Sequence, residues 1–266
     1  MDTYSLIDVI YYAALHTLFI MSLATLTHIM FTPKKYTKKW FWTSILLSTS
    51  HVFCLSSLEL MVGLNIIDNP YKTYSSIRSH SALWFIMSTL MYVISSEILI
   101  WLQHYLLHTR FFYKHVHYIH HKFTYPCAFS FAATHPFEII LVYSSFHIQL
   151  FFFPVYLPVV AVYSALLGIV SMMVHGDGMN RISFMHKLFP LDLHNIHHKK
   201  HNGNYSAGIL GLYLDRLFGT LCDEPENVTK IEIESERETV TDTEPEPEPK
   251  PEPKTGTEPD TVTVTE

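Results

Sequence analysis

Charged side chains are scarce in this sequence of 266 residues, and those present are unevenly placed. They make up 16% of the chain, whereas about a quarter is usual in a soluble domain. Residues 223–266 hold fifteen Asp or Glu and four Lys or Arg, which leaves nine acidic and fourteen basic side chains in residues 1–222. The net charge is therefore −11 in the tail and +5 in the body. This composition argues against an ordinary soluble domain and is typical of a membrane protein.

Cysteine and glycine are also few, and their spacing argues against a disulfide framework and a dinucleotide-binding motif. The three cysteines, Cys54, Cys127 and Cys222, form no CxxC motif, which argues against a disulfide framework and fits the reducing side of a membrane. No GxGxxG fingerprint is present, so the sequence shows no dinucleotide site of its own. The N-terminus lacks the basic stretch of a cleaved signal peptide. We therefore expect the first apolar segment to remain in the mature protein.

Four apolar runs are long enough for a helix to cross about 30 Å of hydrocarbon. The runs are 9–33, 40–67 with Glu59 inside it, 79–103 with Glu97 inside it, and 139–176. The last run is too long for one helix, and Pro154 and Pro158 near its centre interrupt helical structure. We therefore predict a helical hairpin there, with both of its ends on the same side of the membrane.

Lysines indicate the orientation of these runs in the membrane. Lys34, Lys35, Lys38 and Lys39 follow the first run, and such a basic cluster is expected on the cytoplasmic side. The N-terminus would then lie across the membrane, and the third run would return to the cytoplasm near residue 103. The hairpin would end there near residue 176, so the histidine clusters described below would share the cytoplasmic face.

The acidic tail, 223–266, alternates proline with glutamate or lysine and has no aromatic residue. Such a segment cannot bury enough apolar surface to offset the entropy of ordering it, so we predict disorder. The predicted division is a membrane-embedded domain, 1–222, followed by a disordered tail.

Histidine is abundant by contrast, and it recurs at helical spacing. Three clusters stand out: His104/His108, His117/His120/His121 and His194/His197/His198. Residues three or four apart share a helix face, and neutral imidazole is the commonest metal ligand near neutral pH. Eight imidazoles exceed what one tetrahedral ion can use, so the clusters predict two metal ions. An all-nitrogen site can hold zinc or iron.

Six motifs occur in order around these histidines. They are WLQHYLLH (101–108), HYIHHKF (117–123), HPFE (135–138), HGDG (175–178), HNIHH (194–198) and NGNYSAGILGLYLDRLFGT (202–220). Together they resemble the sterol desaturase / fatty acid hydroxylase superfamily of integral-membrane di-iron oxidases, over residues 90–220. Within it, HPFE, HGDG and the closing DRLFGT are most similar to the sterol C5-desaturases (lathosterol oxidases). Sterol C4-methyl oxidases share several of these features.

This resemblance implies an all-α membrane protein of about four transmembrane helices in two hairpins, capped by a cytoplasmic helical domain that holds the di-metal site. It implies that the eight clustered histidines and His175 are the metal ligands, and no catalytic residue beyond them. The full ligand set is His104, His108, His117, His120, His121, His175, His194, His197 and His198.

Supporting residues around the ligands are also expected. Metal-bound imidazoles usually donate their second N–H to a carboxylate or carbonyl, and Glu97, seven positions before His104, shares its helix face. A buried salt bridge is the alternative role for Glu97. The candidates are Glu97, His135, Asp177, Asn204, Tyr205 and Asp215. The resemblance implies that His115 and His201 are solvated, because they lie where members of the superfamily commonly have other residues.

The resemblance implies an oxidase of the endoplasmic reticulum membrane that uses two iron ions and O2. Its expected reaction is C5(6)-desaturation of a delta7-sterol in sterol biosynthesis, with electrons from cytochrome b5 and its NAD(P)H-dependent reductase. A sterol C4-methyl oxidase or a sterol or fatty-acid hydroxylase is the alternative within the superfamily. A catalytically inactive membrane protein that binds metal is the alternative that is not an enzyme.

Overall fold

Long helices dominate the computed structural model, which describes residues 4–31, 38–64, 66–176, 193–201, 203–205 and 208–222. Four of these helices are long and apolar enough to span a membrane. They are α1 (Leu6–Phe31), α2 (Phe41–Gly63), α3 (Ala82–Leu107) and α6 (Leu157–Val174). The predicted all-α, four-span architecture is confirmed.

Shorter elements connect and cap the spanning helices. Helix α4 consists of a helical turn (Arg110–Phe112), a π-helical turn (Tyr113–His117) and a final α-helical turn (Tyr118–His121). The other short α-helices are α5 (Pro136–His147), α7 (Leu193–Lys200) and α8 (Gly211–Phe218). The 3-10 turns are Lys38–Trp40, Ile77–Ser79, Ala128–Ala132 and Ile148–Phe151. Two short strands, β1 (Thr73–Tyr74) and β2 (Val155–Tyr156), pair in parallel.

Helix α3 carries the first histidines because it extends further than its apolar run. It begins after Ser81, whose hydroxyl accepts a hydrogen bond from the Trp84 N–H at 3.2 Å and so caps the helix. It ends at Leu107, with His108 at its C-cap. His104 therefore lies on the last turn of a spanning helix, where the membrane body meets the cap.

The predicted hairpin is present, although its two arms are unequal. The first arm, α5 and the 3-10 turn after it, begins with a helix of 12 residues, which is about 18 Å long and too short to span alone. The chain reverses around β2, and α6 returns to the histidines. The hairpin starts and ends near the same site, since Glu138 on α5 contacts His117 and His175 directly follows α6.

A polar stripe on α2 attaches the cap to the membrane body. Ser48 donates to the carbonyl of Phe129 at 2.6 Å, and His51 Nδ1 lies 2.8 Å from the carbonyl of Ala132. These side chains are buried, and both partners belong to the 3-10 turn that follows the His120–His121 pair. The stripe therefore fixes the 3-10 turn Ala128–Ala132, which follows the histidines of α4 in the chain.

One apolar core cluster lies between α3, α6 and the turn that follows α5. It is formed by Tyr92, Ile100, Leu150, Val155, Val160, Tyr163 and Leu167. The pairing of β1 with β2 adjoins this cluster through Val155. Asp177 and the acidic tail, 223–266, lie outside the described residues, so the predicted role of Asp177 and the predicted domain division stay predictions.

Removing the Ser48 hydroxyl should destabilise the protein without changing its lipid-facing surface. Ser48→Ala leaves the buried Phe129 carbonyl without its donor, which costs about 1–3 kcal/mol. We expect a lower midpoint of thermal denaturation in detergent. Ser50→Ala is the matched control, because Ser50 is exposed and bonds only within its own helix. Equal midpoints for the two variants would contradict the stabilising role of the stripe.

Candidate metal centre

Nine histidines converge at one end of the membrane body. They come from α3, α4, the end of α6 and α7, and all nine are the ligands expected above. Their nitrogens form two groups, within each of which the candidate ligand atoms lie no more than 4.8 Å apart. The five-histidine group is His104, His108, His117, His121 and His197, and the four-histidine group is His120, His175, His194 and His198.

Helix geometry explains how three sequence clusters become two groups. Residues four apart on a helix are offset by about 40°, whereas residues three apart are offset by about 60° in the opposite sense. Each pair spaced by four therefore stays together: His104 with His108, His117 with His121, and His194 with His198. The remaining members, His120 and His197, turn toward the other group.

The ring nitrogens within each group face one another at short distances. The Nε2–Nε2 distances are 3.1 Å for His104–His117 and His108–His121, 3.2 Å for His117–His121 and His175–His194, and 3.3 Å for His120–His175. Two nitrogens bound about 2.1 Å from one ion are about 3.0 Å apart at a right angle and about 3.4 Å apart at the tetrahedral angle. The observed separations therefore fit shared metal ligation.

Backbone carbonyls orient several of these rings through Nδ1. His104 Nδ1 lies 2.6 Å from the Tyr205 carbonyl, His197 Nδ1 lies 2.7 Å from the Gly203 carbonyl, and His175 Nδ1 lies 2.6 Å from the Ser171 carbonyl. A carbonyl only accepts hydrogen bonds, so each Nδ1 carries the proton. The lone pair of each neutral ring is then on Nε2, which points into the group.

Glu138 supplies a contact that we did not predict. Its Oε1 lies 2.9 Å from His117 Nδ1, and both side chains are almost fully buried. Carboxylates commonly hold metal-bound histidines in this way. The sequence does contain a signal, because Glu138 is the only acidic residue between Glu97 and Asp177 and belongs to the HPFE motif.

Burial keeps the histidines in the neutral form that binds metal. It lowers the pKa of His108 to about 2 and that of His175 to about 4. It also holds the pKa values of five other rings well below their usual range: His117, His120, His194, His197 and His198. Burial raises the pKa of the Glu138 carboxyl. A nearby dication would oppose this last shift, since it favours the carboxylate.

Metal ions would give several buried nitrogens of this site a partner. His104 donates through Nδ1 to the Tyr205 carbonyl, so the lone pair on its Nε2 faces His117 Nε2 at 3.1 Å. Within the described part of the chain, His197 Nε2 and both nitrogens of His198 are buried without a hydrogen-bond partner. Buried polar atoms are normally paired, and a metal ion would satisfy the acceptor nitrogen of each ring. The residues therefore fit two metal ions.

Two of the expected supporting residues act on the ligands. Tyr205 provides the carbonyl for His104. Asp215 acts one step further away, because its Oδ1 accepts from the Tyr205 N–H at 3.1 Å, from Trp101 Nε1 at 3.1 Å and from Thr220 Oγ1 at 2.6 Å. Asp215 therefore fixes the segment from which the carbonyl is presented.

Three other expected supporting residues have different contacts. Glu97 accepts hydrogen bonds from Tyr163 and from two backbone N–H groups, so in the described part of the chain its carboxylate bonds to other groups than the histidine rings, and its supporting role stays a prediction. Asn204 bonds through its side chain to the backbone of Cys222. His135 caps α5 by accepting from the Phe137 N–H at 3.0 Å.

The two histidines interpreted as solvated differ. His115 is exposed and contacts only its own helix turn, at the Phe111 carbonyl. His201 is half-buried: its Nδ1 lies 3.0 Å from the Tyr113 hydroxyl and its ring lies 4.4 Å from that of His121. The interpretation is therefore wrong for His201, because its positive φ of 62° turns it back toward the five-histidine group.

Fold and site together define an all-α, multi-pass membrane protein with two histidine groups that can each hold a metal ion. Residues 89–220, about half of the chain, match the profile of the family described as Fatty acid hydroxylase. The chain belongs to this family, as its motifs predicted.

Two curated relatives are similar over the same part of the chain. Lathosterol oxidase of Rattus norvegicus is 29% identical over 153 residues, which cover 56% of this chain and 50% of the relative. The Delta(7)-sterol 5(6)-desaturase of Gibberella zeae is 26% identical over 151 residues, which cover 56% of this chain and 42% of the relative. The chain thus spans about half the length of the curated relatives it matches. No solved structure matches it.

Alanine substitutions should remove the two metal ions one at a time. His197→Ala deletes a ligand of the five-histidine group and His120→Ala deletes one of the four-histidine group, so each should lower the bound metal from about two ions to about one. Elemental analysis of the purified proteins measures this. His115→Ala is the control and should keep both ions. Equal metal loss in all three variants would indicate a generally histidine-rich surface instead.

Proposed function

We propose that the protein is a membrane di-iron oxidase that uses O2 to introduce the C5(6) double bond into a delta7-sterol in sterol biosynthesis. The observation that carries this proposal is the division of nine histidines, eight of them buried and His108 half-buried, into two groups at the end of a four-helix membrane body. The names of the two relatives, lathosterol oxidase and Delta(7)-sterol 5(6)-desaturase, support the choice of reaction.

Iron is the metal that suits both the ligands and the reaction. Imidazole binds zinc, copper, iron and nickel, but zinc has no redox chemistry and is usually four-coordinate, whereas one group here has five histidines. Two ferrous ions, when bound, would supply the reduction of O2 and the abstraction of hydrogen from an unactivated C–H bond. The protein would keep the imidazoles neutral, orient them and exclude water.

The proposed desaturation balances only with an external electron donor. Two hydrogen atoms leave adjacent carbons as the double bond forms, and O2 is reduced to two water molecules by these hydrogens together with two further electrons and two protons. We assign the electrons to cytochrome b5 and its NAD(P)H-dependent reductase. The absence of a GxGxxG fingerprint from the sequence supports a separate donor.

The same proposal assigns the protein to the endoplasmic reticulum membrane, with the histidines and the acidic tail in the cytoplasm. A substrate that dissolves in the bilayer fits this assignment. His104 lies on the final turn of a spanning helix, and His175 directly follows another. The metal centre would therefore lie next to the lipid phase from which a sterol arrives.

Sterol analysis in cells tests the reaction. In a cell that lacks its own C5-desaturase, expression of this chain should convert the accumulated delta7-sterol into the C5(6)-unsaturated product, and His120→Ala at matched expression should not. Loss of 4-methyl sterols in a methyl-oxidase-deficient cell would instead favour the C4-methyl oxidase alternative, and a hydroxylated product would favour a hydroxylase. Normal iron binding with no change in any lipid would identify the inactive metal-binding protein.

Glycosylation tags test the orientation. An N-glycosylation acceptor peptide fused before Met1 should be modified, because the N-terminus is expected in the lumen, and the same peptide fused after Glu266 should stay unmodified. The native sequon at Asn204 cannot serve as a reporter, because Asn204 is buried. A sugar-sensitive mass shift on the C-terminal fusion alone would overturn the proposed orientation.

A further inference from the structure

A single loop orients two ligands of the five-histidine group. The carbonyl of Gly203 accepts from His197 and the carbonyl of Tyr205 accepts from His104, at 2.7 and 2.6 Å. The position of this loop therefore sets the direction in which both Nε2 lone pairs point. Any contact that fixes the position of this loop therefore also affects the orientation of two rings of the five-histidine group.

Glu97 bonds to the backbone of Ile209 and Leu210, which follow this loop in the sequence. Its Oε1 accepts from the Ile209 N–H and its Oε2 from the Leu210 N–H, both at 2.9 Å, while the Tyr163 hydroxyl donates to Oε1 at 2.8 Å. Only 2% of Glu97 is exposed. Position 208 must be glycine for this approach, because a Cβ there would collide with the Glu97 carboxylate.

The carboxylate also lies at the start of α8. Leu210 is the N-cap of this helix, and the free N–H groups and the dipole at a helix N-terminus favour a negative charge. Glu97 therefore docks α8 onto α3. Asp215, within α8, then accepts from the Tyr205 N–H and completes the connection to the His104 carbonyl partner.

Glu97, which begins this chain of contacts, and His104, which ends it, lie on one face of α3. Glu97, Trp101 and His104 are spaced by four and three residues, so they share that face. Trp101 donates to Asp215 at 3.1 Å, and His104 donates to Tyr205. The rigid helix thus fixes the ligand and, through Glu97 and α8, the carbonyl that orients it.

We propose that Glu97 is a positioning residue for one metal ion of the two, the ion of the five-histidine group; this inference rests on the proposed metal binding. In the described part of the chain, no ring nitrogen of the four-histidine group bonds to the Gly203–Tyr205 loop. Loss of the Glu97 contacts should therefore weaken one metal site and leave the other unchanged. A residue needed only for folding would affect both sites.

Glu97→Gln is the appropriate substitution, because it keeps the shape of the side chain. The amide has one acceptor oxygen where the carboxylate has two, so its NH2 group would face a backbone N–H. Outer-shell substitutions of this kind typically reduce metal affinity about ten- to a hundredfold. The loss should be confined to the five-histidine group.

Co(II) binding to single-site proteins measures each group separately. In a His120→Ala background, which retains the five-histidine group, E97Q should weaken Co(II) affinity about ten- to a hundredfold and change its visible spectrum. In a His197→Ala background, which retains the four-histidine group, E97Q should change neither. Equal losses in both backgrounds, or none in either, would overturn the proposal.

Three control variants separate the loop contacts from other effects. Glu59→Gln makes the same change on α2, away from the loop, and should leave both Co(II) sites intact. Tyr163→Phe removes the Tyr163 bond but keeps the bonds from the Ile209 and Leu210 N–H groups to Glu97, so it should bind Co(II) nearly as the wild type does. Gly208→Ala keeps the carboxylate but displaces it, and should reproduce the selective loss. If E97Q does not fold, Gly208→Ala decides the question alone.

The wild-type protein distinguishes this proposal from the proposed function. Two Co(II) ions bound by the wild type, with unselective behaviour of E97Q and Gly208→Ala, would overturn the role of Glu97 and leave the di-metal site standing. No Co(II) bound by the folded wild type would overturn both.

Discussion

The convergence of buried imidazole nitrogens that need a partner is the constraint on which the site depends. Carbonyls fix the Nδ1 proton of His104, His175 and His197, so their Nε2 atoms can only accept. Burial keeps the rings outside the spanning helices neutral, as it does for His175 and His197. Cations between the rings would satisfy these acceptors, which would link the fold to metal binding.

The membrane body places these rings by controlling where helices end. α3 extends beyond its apolar run so that His104 stays helical, and α6 stops immediately before His175. The Ser48 and His51 bonds to the 3-10 turn hold the cap against α2. Polar side chains on a membrane-spanning helix thus have hydrogen-bond partners in the cap.

Much of this arrangement could be predicted from the sequence, because it depends on local periodicity. Long apolar runs predicted the spanning helices, and the spacings of three and four predicted eight of the nine histidines that converge. The allocation of His120 and His197 to opposite groups could not be predicted, since it depends on how α4 and α7 pack. Glu97 was expected beside His104 on helical phase alone, but the tertiary fold brings the start of α8 closer to it.

Contacts that depend on where the chain reverses direction also could not be predicted from the sequence. Glu138 reaches His117 because the short first arm of the hairpin begins beside α4, and His201 turns inward because of one positive φ angle. Neither feature has a periodic signal. The isolated position of Glu138 in an acid-poor stretch marks it in the sequence, but its partner is known only from the backbone.

The decisive measurement is anomalous scattering at the iron absorption edge, from the protein purified with its native metal. Two iron peaks are expected, one enclosed by His104, His108, His117, His121 and His197, and one enclosed by His120, His175, His194 and His198. A single peak, or iron bound outside these two groups, would contradict the proposed di-iron centre.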